Sequence, residues 1–208
     1  QAVQISRTSS DYTGYQRQYW LGYRRAYSAN GWLAHGVQVD WVRTSYGSDG
    51  AIQLDMTPYS SDDNSGSSYT DDNNDKYDGT ILIGRTASDP AAGIHITPTA
   101  RGGSASNEWI DVVINIGSFA TNHVPTLTLT AGSTNALTNA PLVFTAAASD
   151  PDGDSLAYEW TFGLPALLFT NSLNGAEVTN SWSTAGEYVV RCVASDMKGG
   201  RTSTSLVV

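Results

Sequence analysis

Leu142-Val-Phe-Thr-Ala-Ala-Ala-Ser149, then Asp150-Pro-Asp-Gly-Asp154, then Leu156-Ala-Tyr-Glu-Trp-Thr-Phe162: the reading of this run decides the fold class. Two short apolar segments flank a turn made of Asp, Pro and Gly, the residues that punctuate strands. The same grammar continues on both sides. Residues 126–131, 177–182, 186–195 and 202–208 read as further strands, divided by Ala185-Gly186 and Lys198-Gly-Gly200. Short strands at this spacing predict an immunoglobulin-like β-sandwich, although Cys192, the single cysteine, leaves no intrachain disulfide.

Upstream the pattern persists. In Gly36-Val-Gln-Val-Asp-Trp-Val-Arg43, Val37, Val39 and Trp41 fall on one face and Gln38, Asp40 and Val42 on the other, a period of two. Residues 17–24, 51–55, 80–84, 93–97 and 109–116 extend the series, and no segment sustains the 3.6-residue period of a helix. Residues 60–78, almost wholly Ser, Asp, Asn, Gly and Tyr, predict a long loop.

Composition agrees with an all-β chain. Only 15% of the 208 residues are charged, and Ser and Thr total 46, which suits secreted β modules and excludes coiled coils. The net charge is −9, with 11 basic residues against 20 acidic ones, the wrong sign for tracking phosphates or an anionic membrane. No apolar run approaches the roughly 20 residues of a membrane helix. Gln1 stands where a Met would open a complete reading frame, so a processed or excised form is expected.

A compositional shift marks a boundary. Residues 1–121 hold 9 of the 11 tyrosines and four of the six tryptophans, whereas Thr, Ala, Val and Leu dominate afterwards. Gly117-Ser-Phe-Ala-Thr-Asn-His-Val-Pro125 reads as a strand end and linker, with Pro125 imposing an extended entry. The expected organisation is two tandem β-sandwich domains, 1–121 and 122–208.

No catalytic constellation emerges. His35, His95 and His123 are far apart and fit no zinc spacing, and His95, between Ile94 and Ile96, is expected on the polar face of a strand. Cys192 lies within an apolar strand and reads as a buried hydrophobe. Nucleophile elbows and phosphate loops are missing from the sequence. The carboxylates carry more signal. Asp150, Asp152 and Asp154 crowd one turn, where a divalent cation would relieve their repulsion; hydration by water is the alternative. Asp62, Asp63, Asp71, Asp72, Asp75 and Asp78 form a second acidic group, read as a solvated loop, and neither group fits the EF-hand template. Tyr12, Tyr15, Tyr19, Trp20, Tyr23, Tyr27 and Trp32 suit either strand packing or a sugar-stacking platform.

At these residues two resemblances become visible. Residues 122–208 resemble a PKD-type domain, a β-sandwich common in extracellular bacterial enzymes. The matching pieces are Asn122-His-Val-Pro-Thr126, Ser149-Asp-Pro-Asp-Gly-Asp154, Tyr158-Glu-Trp-Thr-Phe-Gly163, the stretch from Gly186 to Asp196, and Gly199. Where that family continues Trp-Asp-Phe-Gly-Asp, this chain has Trp160-Thr-Phe-Gly-Leu164. The likeness implies calcium as the cofactor and Asn122, Asp150, Asp152 and Asp196 as its ligands. Residues 1–121 resemble the β-sandwich that follows the catalytic domain in secreted gametolysin-like zinc metallopeptidases. That likeness rests on Tyr19-Trp-Leu-Gly-Tyr-Arg24, Gly36-Val-Gln-Val39, Leu54-Asp-Met-Thr-Pro58 and Gly84-Arg-Thr-Ala-Ser-Asp89 with Gly93-Ile-His-Ile96.

Together the two imply a non-catalytic C-terminal accessory region of a secreted bacterial metallopeptidase. Its partner would be the upstream catalytic domain of the same chain, with an extracellular protein or polysaccharide as ligand and neither nucleic acid nor membrane insertion. The alternative is a carbohydrate- or matrix-binding adhesion module of an extracellular protein that is not a protease.

Overall fold

The computed structural model describes residues 2–7, 17–24, 33, 35–43, 51–56, 79–104, 107–163 and 174–208. The expected loop at residues 60–78, with its acidic group, and Tyr12, Tyr15, Tyr27 and Trp32 lie outside them. In chain order the strands are β1 (Ala2–Ser6), β2 (Arg17–Gly22), β3 (Gly36–Arg43), β4 (Ile52–Gln53), β5 (Ile81–Leu82), β6 (Ala87–Asp89), β7 (Ile94–Gly102) and β8 (Trp109–Ile116). They continue as β9 (Thr126–Ala131), β10 (Leu142–Ser149), β11 (Ala157–Phe162), β12 (Glu177–Asn180), β13 (Val189–Ser195) and β14 (Arg201–Val207). All regular elements among the described residues are strands, so the all-β reading holds. No helix of these residues is long and apolar enough to cross a membrane.

Strands β1 to β5 form one antiparallel sheet, ordered β1-β2-β3-β4 with β5 also paired to β3, and β6, β7 and β8 form a second. Their facing sides share one core: Ile5, Tyr19, Leu21, Val37, Val39 and Ile81 from the first sheet meet Ile94 and Ile96 from the second. The alternation read in β3 is realised, with Val37 and Val39 buried and Gln38 and Asp40 half-buried. Neither β1 nor β6 was anticipated, because Val-Gln-Ile and Ala-Ser-Asp carry too little periodicity to stand out. Both are placed by a tertiary tie: Arg7 Nε, just beyond β1, donates to Asp89 Oδ2 at 2.7 Å, and Tyr19 Oη donates to the same oxygen at 2.8 Å. Burial alone would raise the Asp89 carboxyl, but these donors and the Ala92 N–H hold it below the usual carboxylate range.

The later strands form two three-stranded sheets, β12-β10-β9 and β11-β13-β14, closed over a second core. Alternation in β10 sends Leu142, Phe144 and Ala146 inward, and Trp160, Phe162, Val190 and Cys192 meet them from the opposite sheet. This is the expected immunoglobulin-like sandwich. Phe144 is the hub: its ring centroid lies 6.5, 5.6 and 6.1 Å from those of Trp160, Phe162 and Trp182. Trp160 stands opposite Cys192 in the β11–β13 ladder. Burial pushes the Cys192 thiol up to about 12, so it packs as a hydrophobe and is not a nucleophile at neutral pH.

The two cores meet through the outer face of β7. Ile94 and Ile96 belong to the first core, while His95 and Thr97 on the opposite face are 3% and 0% exposed. His95 thus lies on the polar face of its strand, as expected, but that face is not open to solvent: a strand with alternating polar residues is buried on both sides when a second layer covers its polar face. Residues beyond β8 supply part of the covering. Thr86 Oγ1 lies 2.8 Å from both Thr97 Oγ1 and Ser195 Oγ, Asn174 Nδ2 donates to Thr99 O, and Asn115 Nδ2 donates to Met197 O. Arg85 pairs with Glu159 at 3.1 Å. Gly84, at φ +85°, admits the closest approach, since a Cβ there would stand 1.7 Å from Tyr158 O.

Replacing Phe144 with Ala is expected to cost about 4 kcal/mol of unfolding free energy, the range for emptying a large buried aromatic site. Denaturant titration followed by tryptophan fluorescence measures it, since Trp160 and Trp182 both pack on this ring.

Candidate functional site

The acidic turn after β10 is built on its own first residue. Asp150 Oδ1 accepts from the N–H groups of Asp152 (2.8 Å) and Asp154 (3.3 Å), and Gly153 N donates back to Asp150 O at 3.2 Å. Gly153, at φ +77°, supplies the left-handed conformation that closes the turn. This winding brings one carboxylate oxygen from each of Asp150, Asp152 and Asp154 within 4.8 Å of the others. Asp154 thus joins the cluster, although of this turn the family likeness pointed only to Asp150 and Asp152. The other oxygens of Asp150 and Asp154, both Oδ2, are sequestered without a hydrogen-bond partner.

Two side chains border the cluster. The linker residue His123 donates its N–H to Asp152 Oδ2 at 2.7 Å and places Nδ1 3.0 Å from Oδ1. That N–H first, and then the ring, hold the Asp152 carboxyl below the usual range. Lys198, in the turn between β13 and β14, binds Asp154 Oδ1 through its ammonium, and this bond pushes the ammonium pKa up.

The remaining two likeness-derived ligands sit on the other side of Lys198. Asp196, 1% exposed, accepts from Asn122 Nδ2 at 2.6 Å with one oxygen and from Lys198 N (2.7 Å) and Gly200 N (3.0 Å) with the other. Gly200 has to lack a side chain, since a Cβ there would stand 2.0 Å from Asp196 Oδ2. Asp196 thus folds the β13–β14 turn and ties it to the linker, while Lys198 joins this pair to the Asp150 turn.

The donor set of the turn fits a hard divalent cation. Oxygens sharing such an ion at about 2.3–2.6 Å lie within about 5 Å of each other, and unpartnered carboxylate oxygens are the donors it prefers. The Asn122–Asp196 pair has a different character, because three protein donors already occupy the carboxylate. His123 and Lys198 had no local signal in the sequence: each lies 29 or more residues from its acid. The aromatic platform is only partly described. Tyr19 is core, Trp20 is 38% exposed on the outer face of β2, and Tyr23 Oη is buried without a partner.

An antiparallel sandwich with an Asp-rich turn between its second and third strands, and a buried Asp in its last turn bonded to the linker, is an immunoglobulin-like module. The family model of the PKD domain matches residues 126–208. No curated protein matches the chain.

Changing Asp196 to Ala would strand the N–H groups of Lys198 and Gly200 and the Asn122 amide. A loss of roughly 3 kcal/mol is expected from removing a buried charged acceptor, with Asp152→Ala costing clearly less because its carboxylate is exposed. Chemical denaturation of the two variants side by side checks the order.

Proposed function

We propose that the chain is a non-catalytic accessory region of an extracellular protein, made of two β-sandwich domains, 1–121 and 122–208, coupled so that they move as one body. A PKD domain is a non-catalytic module found in extracellular adhesion and accessory contexts, and that supports the second half of the reading. The observation that carries the coupling is the two-sided burial of β7. The hydroxyl chain Thr97–Thr86–Ser195 crosses the joint, and His95 packs against Phe119 of the linker and Gly199 of the β13–β14 turn. A polar joint of this kind accepts one relative orientation, because sliding would leave buried hydroxyls and amides unpaired. Its work would be to hold a neighbouring catalytic domain at a fixed distance and angle from an extracellular substrate. The gametolysin-like metallopeptidase parent rests on the residue likeness within 1–121, and a His-Glu-x-x-His upstream in the same reading frame is its test.

We infer a calcium role as well, at Asp150, Asp152 and Asp154, whereas Asn122 and Asp196, which the likeness also implies as ligands, hold the linker beside the site through their own hydrogen bond. Support comes from the convergence of three carboxylates and the two unpartnered Oδ2 atoms. When bound, the ion would neutralise the turn and stiffen its connection to the linker.

Two outcomes are expected. Residues 122–208, expressed alone, should melt cooperatively, since the second core draws only on that segment; an unfolded fragment would remove the division at 121/122. Wild type should melt at a higher temperature in calcium than in chelator by mass action, and Asp150→Ala should lose the difference. Identical melting of wild type in both conditions would leave the turn a solvated loop.

A further inference from the structure

His95 is the histidine that the chain buries, at 3% exposure, and the accessory reading gives it no task. Three elements clamp its ring. On β6, Ser88 Oγ lies 2.9 Å from Nδ1. From the linker, Phe119 meets the imidazole edge to face, with centroids 5.3 Å apart. From the β13–β14 turn, Gly199 backs onto the ring so closely that a Cβ would stand 3.0 Å from Cε1. The same turn carries Met197, whose carbonyl holds Asn115 of β8. The imidazole is therefore the packing surface on which that turn rests.

We propose that His95 is an acid-sensitive latch of the joint: protonation of its imidazole releases the β13–β14 turn from the β6-β7-β8 sheet.

The ionisable groups around it decide the sign. Asp89 on β6 is already bound by Arg7 and Tyr19, and Asp196 in the turn is already bound by Asn122. Lys198, also in the turn, adds an ammonium 5.9 Å from the Phe119 ring centroid. β8 and the linker face the ring with Asn115 and Phe119, which are neutral. Among the described residues no carboxylate is hydrogen-bonded to the imidazole, so an imidazolium here would be buried without a bonded counter-ion. Burial accordingly holds its pKa below the ordinary histidine value, with Asp196 and Asp89 opposing in part. A lowered folded-state pKa costs nothing above the ordinary value, where open and closed forms are both neutral. As pH falls through that value the opened form takes up the proton first, and the opening constant rises by up to about tenfold per pH unit. Water has a route to the ring: His95 lines a concavity of about 790 Å³ between Pro90, Ile116, Phe119, Val124 and Lys198.

The test uses the whole chain with chelator present throughout, so that cation binding cannot contribute. Amide-exchange protection factors, corrected for intrinsic rates, are compared at about pH 7 and about pH 5 in residues 93–97 and 197–200. Wild type and His123→Gln should both lose protection in these segments at the lower pH, and His95→Gln should lose none. Unchanged protection in wild type, or an equal loss in His95→Gln, would overturn the latch. Should His95→Gln fail to fold, NMR titration of the wild-type imidazole decides. A midpoint below the ordinary histidine value supports the proposal, and one at or above it refutes the proposal.

Discussion

Strand β7 is asked to be buried on both of its faces, and most of the arrangement is a response to that demand. Ile94 and Ile96 meet the first core at no polar cost, but the opposite face carries His95 and Thr97. Buried hydroxyls and imidazoles need partners: His95 and Thr97 find theirs in the nearby Ser88 and Thr86, and Thr86 passes the link on to Ser195, 109 residues away. Ser195 completes the hydroxyl chain begun by Thr97 and Thr86, and Asn174 serves two masters, accepting from Tyr158 N while donating to Thr99 O. The joint is thus specified by hydrogen-bond geometry more than by apolar area.

The same logic governs the turn between β13 and β14. Asp196, almost fully buried, is affordable only because three donors converge on it, two from its own turn and one from Asn122 in the linker. Satisfying that carboxylate places Met197 and Gly199 against β8 and His95, and Lys198 against Asp154. One buried acid therefore ties together the linker, the acidic turn and the covering of β7. The candidate cation site and the joint are neighbours for this reason, and they share Lys198 and Asn122 as go-betweens.

Strands β3, β8, β9 and β10 could be read from the sequence with their observed limits, because alternation in a half-buried strand is a local consequence of which face meets the core. The burial of Cys192 and the sandwich of the later strands were legible for the same reason. The short β1 and β6 were not, since each is held by the Arg7–Asp89–Tyr19 tie, whose members are separated by up to 82 residues. His95 shows the limit most clearly. Alternation assigned it to the face away from the first core, which is correct, but whether that face meets water or another layer is not encoded within the strand.

What the sequence by itself determined was the all-β class, the strand grammar, the Asp150 turn and the acids within it, because turns and alternation depend on residues a few positions apart. What only the tertiary structure decided was the pairing of His123 with Asp152, of Lys198 with Asp154 and of Asn122 with Asp196, together with the second covering of β7. Those contacts join residues 29 to 74 positions apart, and their selection depends on the relative placement of whole sheets, which is settled by core packing and by the need of most buried polar groups for a partner.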